Sequence, residues 1–277
     1  MPELPEVETV ANDLRPHLVG RTVTGCQLRF PAIVRHPDPA AFAATLPGRR
    51  IEALTRRGKY LLHHLSGEPA DELLVVHLGM TGQWRCAEAA VPEPDHLHAV
   101  LALDDGRQLR YRDVRRFGRL LLGTERELVG LRRLPRLGPE PLDPDFTAGD
   151  LYRRLRVRRA PLKALLLDQM MIAGVGNIYA DESCFRACVR PDRPAGTLSR
   201  LAVGRLHEAL RELLREAIAN RGSSVDDYRD AWGEMGSEQE RLLVYGRAGQ
   251  PCVRCGRPLA LIRLAGRSTV FCRRCQR

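Results

Sequence analysis

Lysine is nearly missing from this chain: 42 of its 44 basic residues are arginine, and Lys59 and Lys163 are the only lysines. This bias suggests that arginine serves wherever plain positive charge is enough. A surviving lysine then marks a position where a guanidinium does not serve, because an ammonium group is more compact and can lose its proton. Lys59 and Lys163 are therefore candidate functional residues, with chance survival as the alternative.

Long apolar runs are also missing. No stretch of about 18 apolar residues occurs, so no membrane-spanning helix is predicted. The first eight residues, MPELPEVE, contain three acids, unlike the basic start of a secretory signal. We expect a cytoplasmic protein with no membrane partner. The 277 residues are 44% apolar and 28% charged, enough for one large or two ordinary domains with buried cores.

Acidic residues are absent from the last 31 positions, 247–277, which carry eight arginines. Residues 1–150 have 20 basic and 21 acidic side chains, whereas residues 151–277 have 24 and 13. A basic half beside a neutral half predicts a polyanionic partner, above all nucleic acid, bound mainly by the C-terminal half. Charge that serves only solubility is the alternative.

The hydrophobic pattern predicts an α+β fold. Apolar residues at three- and four-residue spacing indicate a helix over 5–18. From residue 21 to about 122, short β-like segments follow one another without helical patterns, which favours an antiparallel sandwich or barrel. Helical spacing returns over 150–220. Examples of the β-like segments are residues 21–30, 50–54, 59–65, 72–78, 97–103 and 108–112, the last one after an Asp105-Gly106 turn.

Prolines mark the predicted domain boundary. Four of them fall between residues 134 and 150, a density typical of a linker. We therefore expect a β-sandwich domain over 1–133, a linker over 134–150, a helical domain over 151–246 with a polar loop at about 221–240, and a cysteine-rich module over 247–277.

The eight cysteines form two groups. Cys26, Cys86, Cys184 and Cys188 are scattered and are expected to be structural thiols. The other four form two Cys-x2-Cys pairs with 16 residues between them, a spacing typical of a closed tetrahedral zinc site. One structural Zn²⁺ is predicted, with disulfides as the weaker alternative in a reducing compartment. Its ligands would be Cys252, Cys255, Cys272 and Cys275.

Residues 258–271, which lie between the two cysteine pairs, are predicted to form a β-hairpin with Gly266 in its turn and Arg267 at its tip. Zinc would stabilise this hairpin, which is too small to fold alone. An arginine-rich module without acids is suited to press on phosphates.

Six short motifs and the four-cysteine module, seven features in all, occur in an order that is specific to one protein family. They are PELPEVET at 2–9, RGKYL at 57–61, HLGMTG at 77–82, DVRRFG at 113–118, GVGNIYA at 174–180, VYGR at 244–247 and the four-cysteine module. Together they resemble the formamidopyrimidine-DNA glycosylase family, bifunctional enzymes that remove oxidised purines from DNA. The resemblance covers the whole chain. It implies an N-terminal antiparallel β-sandwich with a leading helix, a C-terminal helix–two-turn–helix domain and a zinc-bound β-hairpin.

The resemblance implies a monomeric DNA glycosylase with AP-lyase activity that acts on damaged double-stranded DNA. Its expected substrates are ring-opened formamidopyrimidines and 8-oxoguanine, removed through a Schiff base, with β,δ-elimination at the abasic site. An endonuclease VIII-like enzyme for oxidised pyrimidines is the alternative within this class. A non-catalytic zinc-finger DNA-binding protein is the alternative outside it, although binding alone requires neither Pro2, Glu3 nor Lys59.

The candidate nucleophile is Pro2, which becomes a secondary amine once Met1 is removed. An α-amine titrates near pH 8, so much of it is unprotonated at neutral pH and can attack C1′ of a damaged nucleoside. A helix-starting proline is the alternative, but Pro5 fills that role better. The resemblance makes Glu3 the proton donor that opens the sugar, while Glu6 assists or only caps the helix.

The resemblance also implies roles for three basic residues. Lys59 is implied as the proton donor in β-elimination and as a phosphate contact. Arg267 is implied to act in δ-elimination. Because an arginine is a poor acid at neutral pH, we expect it to stabilise the departing phosphate electrostatically. Lys163 matches a family lysine, with an ordinary surface lysine as an equal alternative.

A glycosylase that extrudes a base must fill the gap left in the duplex. The resemblance implies that Met80, Arg115 and Phe117 form the filling wedge, although burial preferences alone would place Met80 and Phe117 in the core. The implied DNA phosphate contacts are His96, Arg116, Arg159 and Asn177. For His96, an ordinary strand-edge position is the alternative.

Two residues of the 221–240 loop depart from the family pattern. Arg221 stands where a second glycine is common, and Glu238 stands where an aromatic residue is usual. Arg221 would stiffen a hinge that glycine leaves free, and Glu238 would remove an apolar cap. We expect a weaker hold on 8-oxoguanine than on ring-opened purines, the alternative being that both side chains face solvent.

Overall fold

The chain forms two compact units. The computed structural model describes residues 1–67, 70–225 and 227–277. The first unit comprises residues 1–136 and 220–237, and the second comprises residues 137–219 and 238–277. Within the described ranges, no helix is both long enough and apolar enough to cross a membrane.

The first unit begins with helix α1, Leu4–Leu18, as the apolar spacing predicted. Pro5 lies in the first turn, where a backbone N–H has no helical partner in any case. Glu3 is the N-cap and forms a reciprocal capping box with Glu6. The buried apolar side chains of α1 are Leu4, Val7, Val10, Ala11, Leu14 and Leu18.

Two sheets form most of the first unit. Their strands are β1 (Val23–Leu28), β2 (Val34–His36), β3 (Ile51–Arg57), β4 (Tyr60–Leu65), β5 (Glu72–His77), β6 (Gly82–Glu88), β7 (Leu97–Leu103), β8 (Arg107–Asp113) and β9 (Arg119–Thr124). One sheet has the order β1-β7-β8-β6, and the other has the order β2-β9-β5-β4-β3. Apolar side chains from both sheets and from α1 share one core, which confirms the predicted sandwich.

Some features of this unit were not predicted. Helix α2 (Pro39–Thr45) interrupts the run of strands, and α3 (Glu125–Gly130) follows the last of them. Strands β2, β6 and β9 add to the example segments named from the sequence. Strand β2 pairs with β9 in parallel, whereas the other described strand pairs are antiparallel. The long chain segment between β2 and β9 permits this parallel pairing, which a tight turn cannot connect.

A hydrogen bond between buried rings joins the two sheets. The Trp84 indole on β6 donates from Nε1 to Nε2 of His63 on β4, at 3.0 Å. The other imidazole nitrogen, Nδ1, donates to the Leu74 carbonyl at 3.1 Å. Complete burial lowers the pKa of His63 to about 4, opposed by the Leu74 bond and assisted by His64. The imidazole is therefore neutral at pH 7, with both nitrogens satisfied.

The second unit is helical and ends in a hairpin. Its elements are α4 (Ala148–Leu155), α5 (Leu162–Leu167), α6 (Asn177–Arg186), α7 (Arg200–Ala219), β10 (Ala260–Leu264) and β11 (Arg267–Phe271). Strands β10 and β11 pair in antiparallel register. Their two-residue turn consists of Ala265 and Gly266, with φ of 47° and 74°, as a hairpin of this kind requires. The helical region and the hairpin are as predicted.

Buried His63 makes stability depend on pH. Its pKa is lower in the folded protein than the ordinary 6.5, so the unfolded chain binds more protons between these values. The free energy of unfolding then falls as pH falls through this window. From pH 7 to pH 5, we expect His63 to remove roughly 1–2 kcal/mol, measurable by urea unfolding. His63→Gln retains an acceptor for Trp84 and should lose less; equal losses in both proteins would contradict this assignment.

Candidate active site and zinc centre

A buried carboxylate holds the N-terminal residues in place. Pro2 and Glu3 are both buried before α1. The buried Glu6 carboxylate accepts the Glu3 backbone N–H at 2.8 Å with one oxygen and the Ser223 N–H at 2.8 Å with the other. The Tyr228 hydroxyl donates to the Glu6 carbonyl at 3.3 Å. Pro2 therefore belongs to a fixed stretch of backbone, although chain ends usually fray.

Lys59 lies with Gly58 in the tight turn between β3 and β4, and Gly58 has a φ of 57°. The lysine is only 6% exposed. Arg56 ties this turn to α1, because its Nε donates to the Glu8 carboxylate at 2.6 Å and its Nη1 donates to the Gly58 carbonyl at 3.0 Å. The turn that carries Lys59 is thus anchored to the helix that follows Pro2.

His77, which the sequence did not single out by itself, is a neutral neighbour of the Lys59 charge. Burial lowers its pKa to about 4, assisted by the charges of Arg119 and Lys59. Its Nδ1 accepts the Gly79 N–H at 3.2 Å, as an unprotonated imidazole does. At pH 7 His77 therefore adds no positive charge beside Lys59.

The structure brings Met80, Arg115 and Phe117 onto two neighbouring turns. Phe117 is 51% exposed and Met80 is half-buried, so the core positions suggested by burial preference are wrong. The Arg115 guanidinium carbon lies 5.0 Å from the Phe117 ring centroid. An exposed aromatic ring in contact with an arginine is typical of a binding surface.

The buried Asp113 carboxylate holds these two turns together. It accepts the Thr81 hydroxyl with one oxygen and the Gly118 N–H, at 2.7 Å, with the other. Thr81 Oγ1 accepts the Arg115 N–H at 3.0 Å. Gly79 has a φ of 64°, and a Cβ there would lie 2.6 Å from both the Phe117 carbonyl carbon and the Gly118 nitrogen. The segments HLGMTG and DVRRFG contained these supporting residues, but only the packed structure reveals their bonds.

His96 and Arg116 both have a left-handed backbone, with φ of 62° and 58°. His96 precedes β7 and is exposed. Arg116 is also exposed, and its guanidinium carbon lies 4.6 Å from the Phe30 ring centroid. Both side chains are therefore accessible to a polyanion.

In the second unit, Asn177 is the first residue of α6. Gln169 orders the preceding loop: its Oε1 accepts the Gly174 N–H at 2.8 Å, and its Nε2 donates to the Val175 carbonyl at 2.8 Å. The buried Asn177 Oδ1 has no hydrogen-bond partner in the described part of the chain. Arg159 lies exposed between α4 and α5.

Lys163 is completely buried, so the surface-lysine alternative is wrong. Its Nζ lies 2.7 Å from Oδ1 of Asp181 and donates to the Ser268 carbonyl at 2.7 Å. The other Asp181 oxygen accepts the Val270 N–H at 3.0 Å. Burial raises the pKa of Asp181 to about 6, and the Lys163 charge opposes this rise, so the pair is ionic at neutral pH. It anchors β11 immediately beside Arg267.

The four predicted zinc ligands converge on one point. The Sγ atoms of Cys252, Cys255, Cys272 and Cys275 all lie within 4.8 Å of one another. The Cys252–Cys275 and Cys255–Cys272 sulfur pairs are 3.9 and 3.5 Å apart. Sulfurs bound tetrahedrally at about 2.3 Å from Zn²⁺ are about 3.8 Å apart. The cluster therefore fits one structural zinc ion, as predicted.

A buried carboxylate on α6 fixes the segment that leads into this module. Glu182 on α6 accepts the backbone N–H groups of Leu243, Val244 and Tyr245 at 2.8–3.0 Å. The module packs through a small apolar cluster of Phe185, Val244, Cys252, Leu259, Val270 and Cys272. Arg267 is exposed beside the hairpin turn, which is the position predicted for it.

The loop residues that depart from the family pattern differ in their surroundings. Arg221 pairs with Asp13 and Asp230 in the first unit. Glu238 begins a 3₁₀ turn, Glu238–Arg241, in the second unit and is buried, so a solvent-facing Glu238 is wrong. Asp226, within the same predicted loop, lies outside the described residues. The expected lesion preference stays a prediction.

Removing zinc should unfold residues 247–277 while the β-sandwich stays folded, because the hairpin buries too little surface to fold without metal. Hydrogen exchange after treatment with a strong chelator should show protection lost in this module and retained in β4 and β5. As a control, Cys26→Ser lacks a thiol outside the cluster and should still bind one zinc ion. Unchanged protection in the chelated module would rule out a structural metal.

Three family models match the chain. They describe the formamidopyrimidine-DNA glycosylase N-terminal domain over residues 1–120, the formamidopyrimidine-DNA glycosylase H2TH domain over 137–229, and a zinc finger found in FPG and IleRS over 249–277. Among curated relatives, the formamidopyrimidine-DNA glycosylase of Moorella thermoacetica is 51% identical over 95% of both chains. That of Chloroflexus aurantiacus is 50% identical over 100% of this chain and 98% of its own.

Solved structures give the same result. The MutM (Fpg) protein of Thermus thermophilus is 46% identical with a TM-score of 0.87, covering 99% of this chain and 98% of that one. A Lactococcus lactis Fpg in complex with abasic-site DNA is 35% identical with a TM-score of 0.90, covering 99% of each chain. These matches cover nearly the whole chain, and the chain belongs to the formamidopyrimidine-DNA glycosylase family.

Proposed function

We propose that this protein is a base-excision repair DNA glycosylase that removes oxidised purines from double-stranded DNA and nicks the resulting abasic site. The observation that carries the proposal is the full-length match to formamidopyrimidine-DNA glycosylases. The buried, hydrogen-bonded start at Pro2 and Glu3 supports it. Lactococcus lactis relatives of the same fold were solved with Fapy-dG DNA and with abasic-site DNA.

Pro2 is the proposed nucleophile. After removal of Met1, its nitrogen lone pair attacks C1′, the glycosidic C–N bond breaks, and the base leaves with the electron pair of that bond. The base takes up a proton, and the bound proline nitrogen loses its N–H proton. Opening of the sugar gives an iminium ion, which is always charged because proline is a secondary amine. This electron sink acidifies the C2′ proton. Loss of the proton expels the 3′ phosphate by β-elimination, and a second elimination expels the 5′ phosphate.

Three side chains are proposed to assist these steps. Glu3 protonates the sugar oxygen and transfers protons during the Schiff-base steps. Lys59 donates a proton in β-elimination and contacts a phosphate beside the lesion. Lys59 lies within a buried turn, where charges are screened weakly, and neighbouring His77 is neutral at pH 7. Arg267 stabilises the second departing phosphate by charge alone.

DNA binding is assigned to two groups of residues. Met80, Arg115 and Phe117 form the wedge that fills the space of the extruded base, in keeping with the exposure of Arg115 and Phe117 and the half-buried position of Met80. The proposed phosphate contacts are His96, Arg116, Arg159 and Asn177. The zinc module contributes a positively charged surface without acids. We further propose that the protein acts as a monomer in the cytoplasm, associated with the nucleoid when bound to DNA.

The wedge also favours purine lesions over the endonuclease VIII-like alternative, since Met80, Arg115 and Phe117 match the purine branch of the family. A non-catalytic DNA-binding protein would require neither the fixed Pro2-Glu3 start nor the anchored Lys59 turn.

Borohydride should trap the protein on duplex DNA that carries 8-oxoguanine opposite cytosine, because it reduces the iminium to a stable amine. Peptide mapping should locate the adduct at Pro2. Pro2→Leu retains Met1 and moves the amine by one residue, so it should form no adduct; zinc content and DNA affinity serve as its folding controls. An adduct on a lysine would disprove the nucleophile assignment, and no adduct with either 8-oxoguanine or abasic DNA would favour the non-catalytic alternative.

Lys59→Arg should lose most strand cleavage although it keeps the charge, because a guanidinium is larger and a much weaker acid. Adduct formation at Pro2 should persist, which separates a lost proton donor from a misfolded variant. Arg57→Lys, two residues earlier, is the matched control and should cleave normally. Cleavage by Lys59→Arg within about threefold of wild type, equivalent to about 0.7 kcal/mol, would reduce Lys59 to a phosphate contact.

A further inference from the structure

Arg221 connects two buried acids on different segments of the first unit. Its guanidinium donates to Oδ2 of Asp13 on α1 at 2.7 Å, and its Nε donates to Oδ2 of Asp230 at 3.0 Å. The Asp230 side chain is fully buried, and that of Asp13 is nearly so. A planar guanidinium presents donors in a fixed fork that spans two carboxylates, which a lysine cannot reproduce.

Asp230 carries this connection further into the loop. Its second oxygen, Oδ1, accepts the backbone N–H groups of Trp232 at 2.9 Å and Glu234 at 2.8 Å. Arg221 itself has a φ of 60°, a left-handed conformation that a residue with a side chain adopts reluctantly. The ion pairs therefore stabilise the loop in a backbone conformation that is unfavourable for Arg221 on its own. We name the group Asp13, Arg221 and Asp230 the loop clamp.

The clamped segment lies against the start of α1. Gly222 follows Arg221, and a Cβ there would lie 2.8 Å from the Glu6 side chain. The next residue, Ser223, donates its N–H to Glu6, the carboxylate that also accepts the Glu3 N–H. The lesion base and the Pro2 amine share one carbon atom, C1′, in the proposed reaction. A loop one helical turn from Pro2 is thus within reach of the base.

The Glu3–Glu6 bond belongs to the helix itself, because it joins residues three positions apart in a capping box. It does not depend on the loop. Loss of the clamp should therefore displace the loop, while the capping box still holds the backbone before the first turn of α1.

We propose that Arg221 is a positioning residue for base excision: the loop clamp orders Gly222–Ser224 against α1 before DNA binds, so that the loop can hold the damaged base. The inference rests on the proposed glycosylase function. The proposal predicts different effects on the two reactions. Excision of a base requires the ordered loop. Cleavage at a preformed abasic site does not require it, because that site has no base.

The test compares Arg221→Ala and Asp13→Asn with wild type on two duplexes, one with a formamidopyrimidine lesion and one with a preformed abasic site. The single-turnover excision rate at saturating DNA should fall by about 10-fold, as misplaced contact groups commonly cause. Abasic-site cleavage and the DNA dissociation constant should stay within about threefold. The double variant should lose no more than the worse single variant, because both substitutions break one network.

Hydrogen exchange of the free protein gives a readout independent of catalysis: the amides of Gly222–Ser224 should exchange faster in both variants. Asn12→Ala, an exposed neighbour on α1, is the matched control and should change neither reaction nor exchange. Equal losses in both reactions, or unchanged excision, would overturn the clamp. A wild-type protein that cleaves neither duplex would instead refute the proposed function.

Discussion

The proposed chemistry requires a nucleophile at the very end of the chain, and chain ends are the least ordered parts of most proteins. Everything around Pro2 can be understood from this constraint. Helix α1 is anchored by its apolar face in the sandwich core. Its capping box fixes the backbone before the first turn, and Glu6 receives a further bond from Ser223, more than 200 residues away in the chain. A backbone amine held in this way is already ordered, whereas the amine of a flexible lysine side chain would have to be ordered on each turnover.

The same device recurs at several irregular segments that carry or precede proposed functional residues. Glu6, Asp113, Glu182 and Asp230 are buried carboxylates that accept backbone N–H groups. Hydrogen bonds to a charged acceptor are stronger than neutral ones, and a buried carboxylate is stable only when such donors surround it. Each acid therefore specifies one loop path. Together they place the N-terminus, the Met80 and Phe117 turns, the approach to the zinc module and the clamped loop.

Much of this architecture could be predicted from sequence, because periodicity and metal-ligand spacing are local properties. Helix α1, strand β7, the zinc cluster and the hairpin turn at Gly266 follow from short segments. The parallel β2–β9 pair could not be predicted, since no local pattern specifies a partner some 85 residues distant. The exposure of Phe117 could not be predicted from residue preference either, because an aromatic ring is more often buried. The Asp230 and Glu182 networks depend on contacts that only the folded chain creates.

The scarcity of lysine acquires a physical meaning in the structure. Both lysines are buried, Lys163 completely and Lys59 almost completely. A buried ammonium must satisfy up to three donors, whereas a guanidinium must satisfy five in a plane, so lysine is the cation that a confined site accommodates more easily. Lys163 meets this demand with Asp181 and the Ser268 carbonyl. Its structural role in anchoring β11 is enough to explain why a lysine occurs there, with no catalytic role required. Lys59 shares the burial but lies in a turn anchored to the Pro2 helix. Compositional bias therefore identifies confined cations, and the neighbourhood of each one decides whether it also transfers a proton.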